Sequence, residues 1–375
     1  MKRIVAMGEI MGRFSPPGYQ RFGQCMPGSL DILFAGAEAS VAMSIAYLGG
    51  DAAFVTALPN HSIADACVAA VRAVGVDTRH IVRTSDGRLG LYFLESGVNQ
   101  RPGKVIYDRE GSSIAVTPPD AYDWDAILKD ADWLVISGIT PAISRNGFDV
   151  TLAAVDAAAK HNVRVLCDFN YRGKLWNWSP PTPPRRLAIE SIRLLLPKVD
   201  LLVAGTDEIL ELIGDQKTRS LNSDAKTPEA SFGEAAKNLN KRFPKLTRIA
   251  STYRRTASAS RHELGGMLWD TSTASQHPDQ VYWAPQLTDG AIGDTTANQT
   301  YSIEQVVDRI GTGDAFTAGL LFALTTPELS TPERAIAFAT SAFCLSHSIA
   351  GDFNFTNRQE IEELIAGDFS GRVQR

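Results

Sequence analysis

Short runs of apolar, mostly β-branched residues alternate with Ala-rich stretches along much of the chain. The runs lie at 3–9, 51–58, 132–138, 163–169, 200–205 and 246–252. The intervening stretches at 37–49, 63–75 and 147–161 carry apolar residues at helical spacing. Strands that are apolar on both faces and separated by helices form parallel sheets. The alternation therefore predicts an α/β fold with a central, mostly parallel sheet and helices on both faces.

Two segments depart from this alternation. Residues 10–34 are rich in Pro and Gly, and residues 88–111 contain the alternating run RLGLYFLES, the turn-rich VNQRPG and then KVIYDREG. The second segment predicts a β-hairpin. We expect both segments to form a small β-sheet lid on a core made of 1–9, 35–87 and 112–375. The alternative is that the two segments are elaborate loops that do not form a common sheet.

The remaining chain is interpreted from its composition. We expect a Pro-rich surface loop at 176–186, a polar and mobile segment at 215–231 and a variable loop region at 270–305. The C-terminal part returns to helical spacing, at 314–325, 331–348 and 357–366.

Composition excludes several functional classes. The 375 residues carry a net charge of −5, which argues against a broad nucleic-acid surface. The longest uncharged stretch, from 335 to 349, contains Ser and His and is too polar to span a membrane. The N-terminal MKRIVAMGEI has no secretory apolar region. The four cysteines form no C-x-x-C pair, which argues against zinc and favours a reducing cytoplasm.

The most informative motif is Gly311-Thr312-Gly313-Asp314, which directly precedes an apolar helical pattern. Glycines permit a tight turn, and a helix start offers unpaired N–H groups with a partial positive charge. Together they form a cradle for an anion. Asp314 is placed to accept a proton from a hydroxyl that attacks a phosphorus held there. The alternative is a turn with a helix cap. Neither a Rossmann fingerprint nor a Walker loop matches, because position 316 is Phe and no G-K-[ST] follows.

Other segments of the chain resemble the same protein family as this motif. Asp308 with Gly311–Asp314 resembles the C-terminal signature of the ribokinase/PfkB family of carbohydrate kinases, and FAGAEASVAMSIAYLGG at 34–50 resembles its N-terminal signature. GEIMGRFSPPGYQRF, YDREGS, DFNYRGKLW and HSIAGDFN are similar to the 2-keto-3-deoxygluconate kinases of that family. The resemblance runs from Gly8 to Asn354. It implies a ribokinase-like three-layer α/β/α sandwich with a β-sheet lid.

The resemblance also implies roles for individual residues. The catalytic group would be Asp314 as base, with an anion hole from Gly311, Thr312 and Gly313. Contacts to a sugar acid would come from Gly36, Tyr92, Tyr107, Arg109, Arg172 and Asp314. Contacts to the nucleotide would come from Glu208, Thr252, Arg254, Ser260, Gly311, Gly313 and Asn354. Glu208 would also hold Mg²⁺ through water.

The residues themselves support a sugar-acid site. Arg109 follows a hairpin strand and Arg172 follows the end of the run at 163–169. Ligands of open α/β sheets bind outside the carboxyl ends of the strands, and two guanidinium groups there could clamp a carboxylate. The alternative is that Arg109 pairs with its neighbours Asp108 or Glu110.

Other candidates also have structural alternatives. Tyr92 and Tyr107 would pack across the hairpin if they bind no sugar. Glu208 opens a helix, where a carboxylate compensates the helix dipole. Gly205 stands where the family's N-x-x-E motif has Asn, which puts direct transfer of its phosphate and Mg²⁺ contacts in doubt.

The resemblance implies an ATP- and Mg²⁺-dependent kinase that phosphorylates the 6-hydroxyl of 2-keto-3-deoxy-D-gluconate, with the galactonate epimer left open. A monovalent cation such as K⁺ is a further possibility near 306–312 and 350–354. An exposed lid sheet would favour a homo-oligomer that pairs through the lid. The alternatives are a kinase of a neutral sugar such as fructose or ribose and a non-catalytic sugar- or nucleotide-binding regulator. A dehydrogenase is a more distant alternative, since the dinucleotide fingerprint is missing.

Overall fold

The structure is a computed structural model that describes residues 2–214, 227–272, 280–286 and 299–368. Within these ranges the strands are β1 Arg3–Met7, β2 Met11–Ser15, β3 Asp31–Ala35, β4 Asp51–Val55, β5 Ala57–Pro59, β6 Val82–Thr84, β7 Gly90–Glu95, β8 Lys104–Asp108, β9 Trp133–Ser137, β10 Arg164–Asp168, β11 Leu201–Val203, β12 Arg248–Thr256, β13 His262–Asp270, β14 Val281–Ala284 and β15 Tyr301–Ile303.

The helices of the same ranges connect these strands. They are α1 Phe22–Cys25, α2 Ala37–Tyr47, α3 Ser62–Ala73, α4 Ser113–Val116, α5 Trp124–Leu128, α6 Thr140–Ile143, α7 Arg145–Lys160, α8 Pro184–Leu195, α9 Thr206–Ile213, α10 Pro228–Arg242, α11 Thr312–Thr325, α12 Pro332–Ser346 and α13 Arg358–Ile365. None of these helices is both long and apolar enough to cross a lipid bilayer.

The central sheet has the strand order β14-β13-β12-β11-β10-β9-β1-β4, and β15 pairs with β13. From β4 to β12 every pairing is parallel. In β1, Ile4 and Ala6 pack into one hydrophobic core while Val5 and Met7 pack into the other. Both faces of the sheet are therefore buried under helices, and the expected three-layer sandwich is confirmed.

The far edge of the sheet is antiparallel, which the sequence analysis did not predict. β13 pairs antiparallel with both β12 and β14. The expectation of a loop region over 270–305 is wrong at Val281–Ala284 and Tyr301–Ile303, which are strands. The signal in β13 is weak because Gly265 and Gly266 interrupt it. A Cβ at Gly266 would collide with the Thr340 hydroxyl, so this glycine lets helix α12 pack closely on the sheet.

The other expected loops have mixed outcomes. Of the segment at 215–231, residues 215–226 lie outside the described residues, and Pro228 already begins helix α10. The loop at 176–186 ends where α8 begins at Pro184. Its Trp176 is buried in a small apolar cluster, which anchors the loop to the core.

A second sheet, with the order β3-β2-β7-β8, stands apart from the central one. The hairpin of β7 and β8 is antiparallel, as predicted, whereas β2 and β7 are parallel. Burial alternates strictly along β7, so one face of this sheet is turned inward. The strand β3 runs to Ala35, one residue beyond the expected lid boundary. We call this sheet the lid.

Candidate active site

A cavity of about 590 Å³ lies between the lid and the carboxyl ends of the central strands. Its wall includes the end of β10 at Asp168, the end of β11 at Val203 and the starts of helices α2 and α11. The lid contributes residues of β7 and β8. This is where ligands bind in open α/β sheets, since strand ends and helix starts leave backbone groups unpaired.

Backbone amides line one end of the cavity. Gly311 has φ +77°, and a Cβ there would overlap the carbonyl oxygen of Asp352, so only glycine fits. Ala315 donates the first helical hydrogen bond, to the Gly311 carbonyl at 2.9 Å. Among the described residues the amides of 311–314 have no acceptor. These amides at the start of α11 are available to bind an anion, and we call this segment the cradle.

Asp314 lies in the first turn of α11 and reaches the cavity wall, although its exposed fraction is only 8%. Its carboxylate has no hydrogen-bond partner within the described ranges. Burial raises the pKa of Asp314 well above its ordinary value, nearby Asp168 raises it further, and Arg172 opposes the change. A carboxylate held this way is a stronger base than a solvated one, and it is free to accept a proton.

Two carboxyl groups near Asp314, the partly exposed Asp168 and the buried Glu38, were not among the predicted site residues. Asp168 ends β10 on the cavity wall, and its pKa rises to about 7 through burial and the charge of Glu208. Glu38 accepts hydrogen bonds from the hydroxyls of Ser137, at 2.6 Å, and Thr140, at 3.0 Å. Burial also raises the pKa of Glu38. The position of Asp168 at a strand end was the one signal that could have identified it.

Arg109 and Arg172 both line the cavity, but they do not form the expected matched pair. Arg109 is buried and forms an ion pair with Glu9, 100 positions away. The alternative that Arg109 pairs with Asp108 or Glu110 is therefore wrong, whereas the contact of both arginines with a sugar acid stays a prediction. Arg172 is exposed, and its guanidinium has no partner among the residues that the structure describes. Of these two arginines, only Arg172 has a guanidinium without a hydrogen-bond or ion-pair partner in the described part of the chain.

Tyr92, Tyr107 and Gly36 line the cavity together with Arg109 and Arg172. The Tyr92 hydroxyl donates a hydrogen bond to Asp352 at 2.6 Å, so its proton is already engaged. The Tyr92 and Tyr107 rings pack together with centroids 6.2 Å apart, as in the alternative interpretation of the hairpin. A Cβ at Gly36 would overlap the Glu9 carbonyl oxygen, which lets α2 begin directly beside the cavity.

Glu208, Thr252 and Arg254 also line the cavity, and Arg172 is close enough to influence the charges of Glu208 and Arg254. Glu208 accepts a hydrogen bond from the Gly205 amide at 2.8 Å, so it caps its own helix and also borders the cavity. Arg254 donates to the Thr312 hydroxyl at 3.0 Å. Burial, with the charges of Arg309 and Arg172, lowers the pKa of Arg254 to about 10. Arg309 is a further cavity residue that the sequence analysis missed.

Two predicted nucleotide contacts are not brought to the cavity. The Ser260 hydroxyl accepts a hydrogen bond from the Asn99 amide at 2.8 Å, which ties the lid hairpin to the core. Asn354 is buried and accepts from the Thr356 amide and hydroxyl. Neither residue lines the cavity wall, because each side chain shapes a supporting loop instead.

Comparisons with known proteins agree with this geometry. The profile described as pfkB family carbohydrate kinase matches residues 1–248. The chain is 31% identical over 371 residues to a 2-dehydro-3-deoxygalactonokinase of Haloferax volcanii, with 98% of each chain covered. It is 26% identical over 214 residues to a 2-dehydro-3-deoxygluconokinase of Bacillus subtilis, covering 57% of this chain and 63% of that one. The crystal structure of 2-dehydro-3-deoxygluconokinase from Thermotoga maritima matches with a TM-score of 0.83 at 31% identity, covering 98% of this chain and 100% of that one.

Proposed function

The chain belongs to the PfkB family of carbohydrate kinases, and we propose that it transfers the γ-phosphoryl group of ATP to the 6-hydroxyl of 2-keto-3-deoxy-D-gluconate. One observation carries the proposal: an unpartnered carboxylate, Asp314, lies beside the unpaired amides of the cradle on one cavity wall. That arrangement supplies the two groups that transfer to an alcohol needs, a base and an anion site.

In the proposed reaction Asp314 accepts the proton of the 6-hydroxyl, and the oxygen of that hydroxyl forms a bond to the γ-phosphorus. The bond from that phosphorus to the bridging oxygen breaks, and ADP leaves. The amides of Gly311, Thr312 and Gly313, with the start of α11, stabilise the charge on the phosphoryl oxygens. Phosphoryl transfer depends mainly on positioning and electrostatics, so these groups are sufficient on the protein side.

The sugar acid is proposed to bind beneath the lid, against Gly36, Tyr92, Tyr107, Arg109 and Arg172. In this arrangement Arg172 binds the substrate carboxylate, since its guanidinium is uncommitted. The buried pair of Arg109 with Glu9 offers hydrogen-bonding groups of both signs to the keto and hydroxyl groups. This division of roles favours an acid over fructose or ribose, because a neutral sugar would leave Arg172 without an anion to bind.

ATP is proposed to bind across the opposite end, between the cradle and the residues Glu208, Thr252 and Arg254. Mg²⁺ bound with the nucleotide would neutralise phosphate charge. Magnesium commonly uses one or two carboxylates together with substrate phosphates, and Glu208 on the cavity wall fits that pattern. Its second oxygen lies 3.9 Å from Arg185, which leaves it accessible to a water of the hydrated ion.

We also propose that the lid pairs with a second copy of the chain. Its outer surface exposes Ile32 and Ile106, and among the described residues its edge strands β3 and β8 have backbone groups without a strand partner. Such an edge with an apolar surface favours pairing over exposure to water. The unpaired thiols of the four cysteines support action in a reducing cytoplasm.

The direct test is an ADP-release assay over 2-keto-3-deoxygluconate, 2-keto-3-deoxygalactonate, fructose and ribose. We expect phosphorylation of the gluconate acid at C6, identified by NMR of the product, with little turnover of the neutral sugars. A higher kcat/KM for galactonate would correct the epimer and leave the acid specificity intact. Preferential turnover of fructose or ribose would overturn the acid assignment. ATP-dependent turnover of none of the four would favour the non-catalytic regulator.

A further inference from the structure

A buried cluster of charges joins the lid to the loop that carries the cradle. Arg13, on lid strand β2, donates to Asp308 through one terminal nitrogen and to Asp352 through the other, at 2.5 Å in both cases. All three side chains are buried, with exposed fractions below 10%. These carboxylates belong to the loops at 306–312 and 350–354, where the sequence analysis considered a monovalent cation.

Every carboxylate oxygen in this cluster already has a donor. One oxygen of Asp308 accepts from the amides of Arg309 and Ile310, and the other accepts from Arg13 and from the Gly351 amide. Monovalent cations bind where several oxygens point at one place with no donor among them. The two carboxylates therefore do not fit such an ion.

Both carboxylate oxygens of Asp352 also accept hydrogen bonds. One of its oxygens accepts from Arg13 and the other accepts from the Tyr92 hydroxyl at 2.6 Å. Both donors come from the lid, on β2 and β7. Burial alone would lower the pKa of Arg13, but the charges of Asp352 and Asp308 outweigh it and raise that pKa. The guanidinium is thus a permanent positive charge at this place.

The cluster contacts the cradle directly. Asp308 holds the amides of the two residues that follow it, and Gly311 begins the cradle one residue later. The carbonyl of Asp352 lies against Gly311, where no Cβ fits. The cradle therefore rests on the Asp308 carboxylate and on the backbone of Asp352, and Arg13 pairs with the side chains of both residues.

We propose that the Arg13 guanidinium takes the place of a monovalent cation in this enzyme. It neutralises Asp308 and Asp352, positions the cradle, and makes catalysis independent of K⁺. Because Arg13 is on the lid, it is a positioning residue that couples lid placement to the anion site. The proposal rests on the kinase activity proposed above.

The first test uses the unmodified enzyme with K⁺, Na⁺ or choline as the only monovalent cation at constant ionic strength. The kcat values in the three salts should agree within about twofold, since charges are screened equally at the same ionic strength. A saturable activation by K⁺ of about tenfold or more over choline, the size of a typical coupling between sites, would overturn the proposal. The melting temperature in KCl and in choline chloride should also agree, and a K⁺-specific increase would overturn it.

The second test compares Arg13→Ala, Arg13→Lys and the control Arg255→Ala, whose exposed arginine pairs with Glu263 on the central sheet. Arg13→Ala should lower kcat about 10- to 100-fold, the usual effect of removing a group that orients a binding site. Millimolar guanidinium or K⁺ should restore part of that rate, and Arg13→Lys should retain more of it. A folded Arg13→Ala enzyme with the wild-type rate in choline would contradict the proposal.

These readouts separate the two proposals from each other. Absence of turnover with every sugar in every cation would defeat the proposed function, while the melting temperatures still test cation binding. Turnover that requires K⁺ would defeat the role of Arg13 and leave the kinase assignment intact. If Arg13→Ala does not fold, the cation series on the unmodified enzyme decides the matter.

Discussion

The two ends of the cavity are built in different ways. The cradle is made of backbone from one short segment, 311–314, and its amides need no side-chain partner. The proposed sugar end is made of side chains from distant segments, such as Tyr92, Arg109 and Arg172, and the charge of Arg109 is neutralised by Glu9. The donors of a backbone site come from one segment, whereas the groups of a side-chain site come from several elements. Substitutions should therefore abolish rate at the first end and alter selectivity at the second.

Among the substitutions that compare the two ends, the largest effect is expected at the cradle. Gly311→Ala introduces a Cβ that overlaps the Asp352 carbonyl and forces alanine into a left-handed backbone. We expect kcat to fall by about 10²–10³-fold, the effect of losing an anion-site donor. The control is Gly49→Ala, which has φ +91° and open space around its Cβ. Equal losses in the two variants would show that backbone strain, rather than the cradle, sets the rate.

A smaller effect is expected at the sugar end. Arg172→Ala removes a cavity guanidinium that interacts with Asp314 and has no hydrogen-bond or ion-pair partner in the described part of the chain. The KM for the sugar acid should rise about 10- to 100-fold, which corresponds to a charged hydrogen bond of about 1.5–3 kcal/mol. Steady-state kinetics with the acid and with fructose measure it, and Arg186→Ala, an exposed helix residue, is the control. A KM that rises equally for both sugars would remove Arg172 from carboxylate binding.

The pH dependence of kcat/KM depends on groups from both ends of the cavity. Asp314 must be deprotonated to act as a base, so kcat/KM should fall as the pH drops through its raised pKa. Asp168→Asn removes a charge that raises this pKa, which should move the acid limb to lower pH. Arg172→Ala removes a charge that lowers it, which should move the limb to higher pH. If neither substitution moves the limb, a different group controls it.

The smallest effect on rate is expected on the outer face of the lid. Ile106→Glu should convert a dimer to a monomer in light scattering while kcat changes little, because Ile106 is 58% exposed and points away from the cavity. Ile63→Glu, at a site 59% exposed on α3, is the matched control and should leave the mass unchanged. A wild-type monomer would contradict pairing through the lid.

Sequence periodicity predicted the parallel strands and the lid hairpin because each is fixed by local pattern. It missed β13, where Gly265 and Gly266 break the strand signal, and the antiparallel edge that follows. The motif at 311–314 identified the cradle since one contiguous segment builds it. The pairing of Arg109 with Glu9 could not be predicted, because charges 100 positions apart meet only through the tertiary fold. The same holds for Arg13, whose partners lie on two C-terminal loops.

The role of Asp314 as base is tested most directly by Asp314→Asn, which keeps the shape and removes the basic oxygen. Rapid-quench measurement should show phosphoryl transfer slowed by about 10²–10⁴-fold, while the Kd of the sugar acid stays near the wild-type value. Asp207→Asn, an exposed carboxylate in the first turn of α9, should match the wild type. Transfer at the wild-type rate in Asp314→Asn would contradict the mechanism.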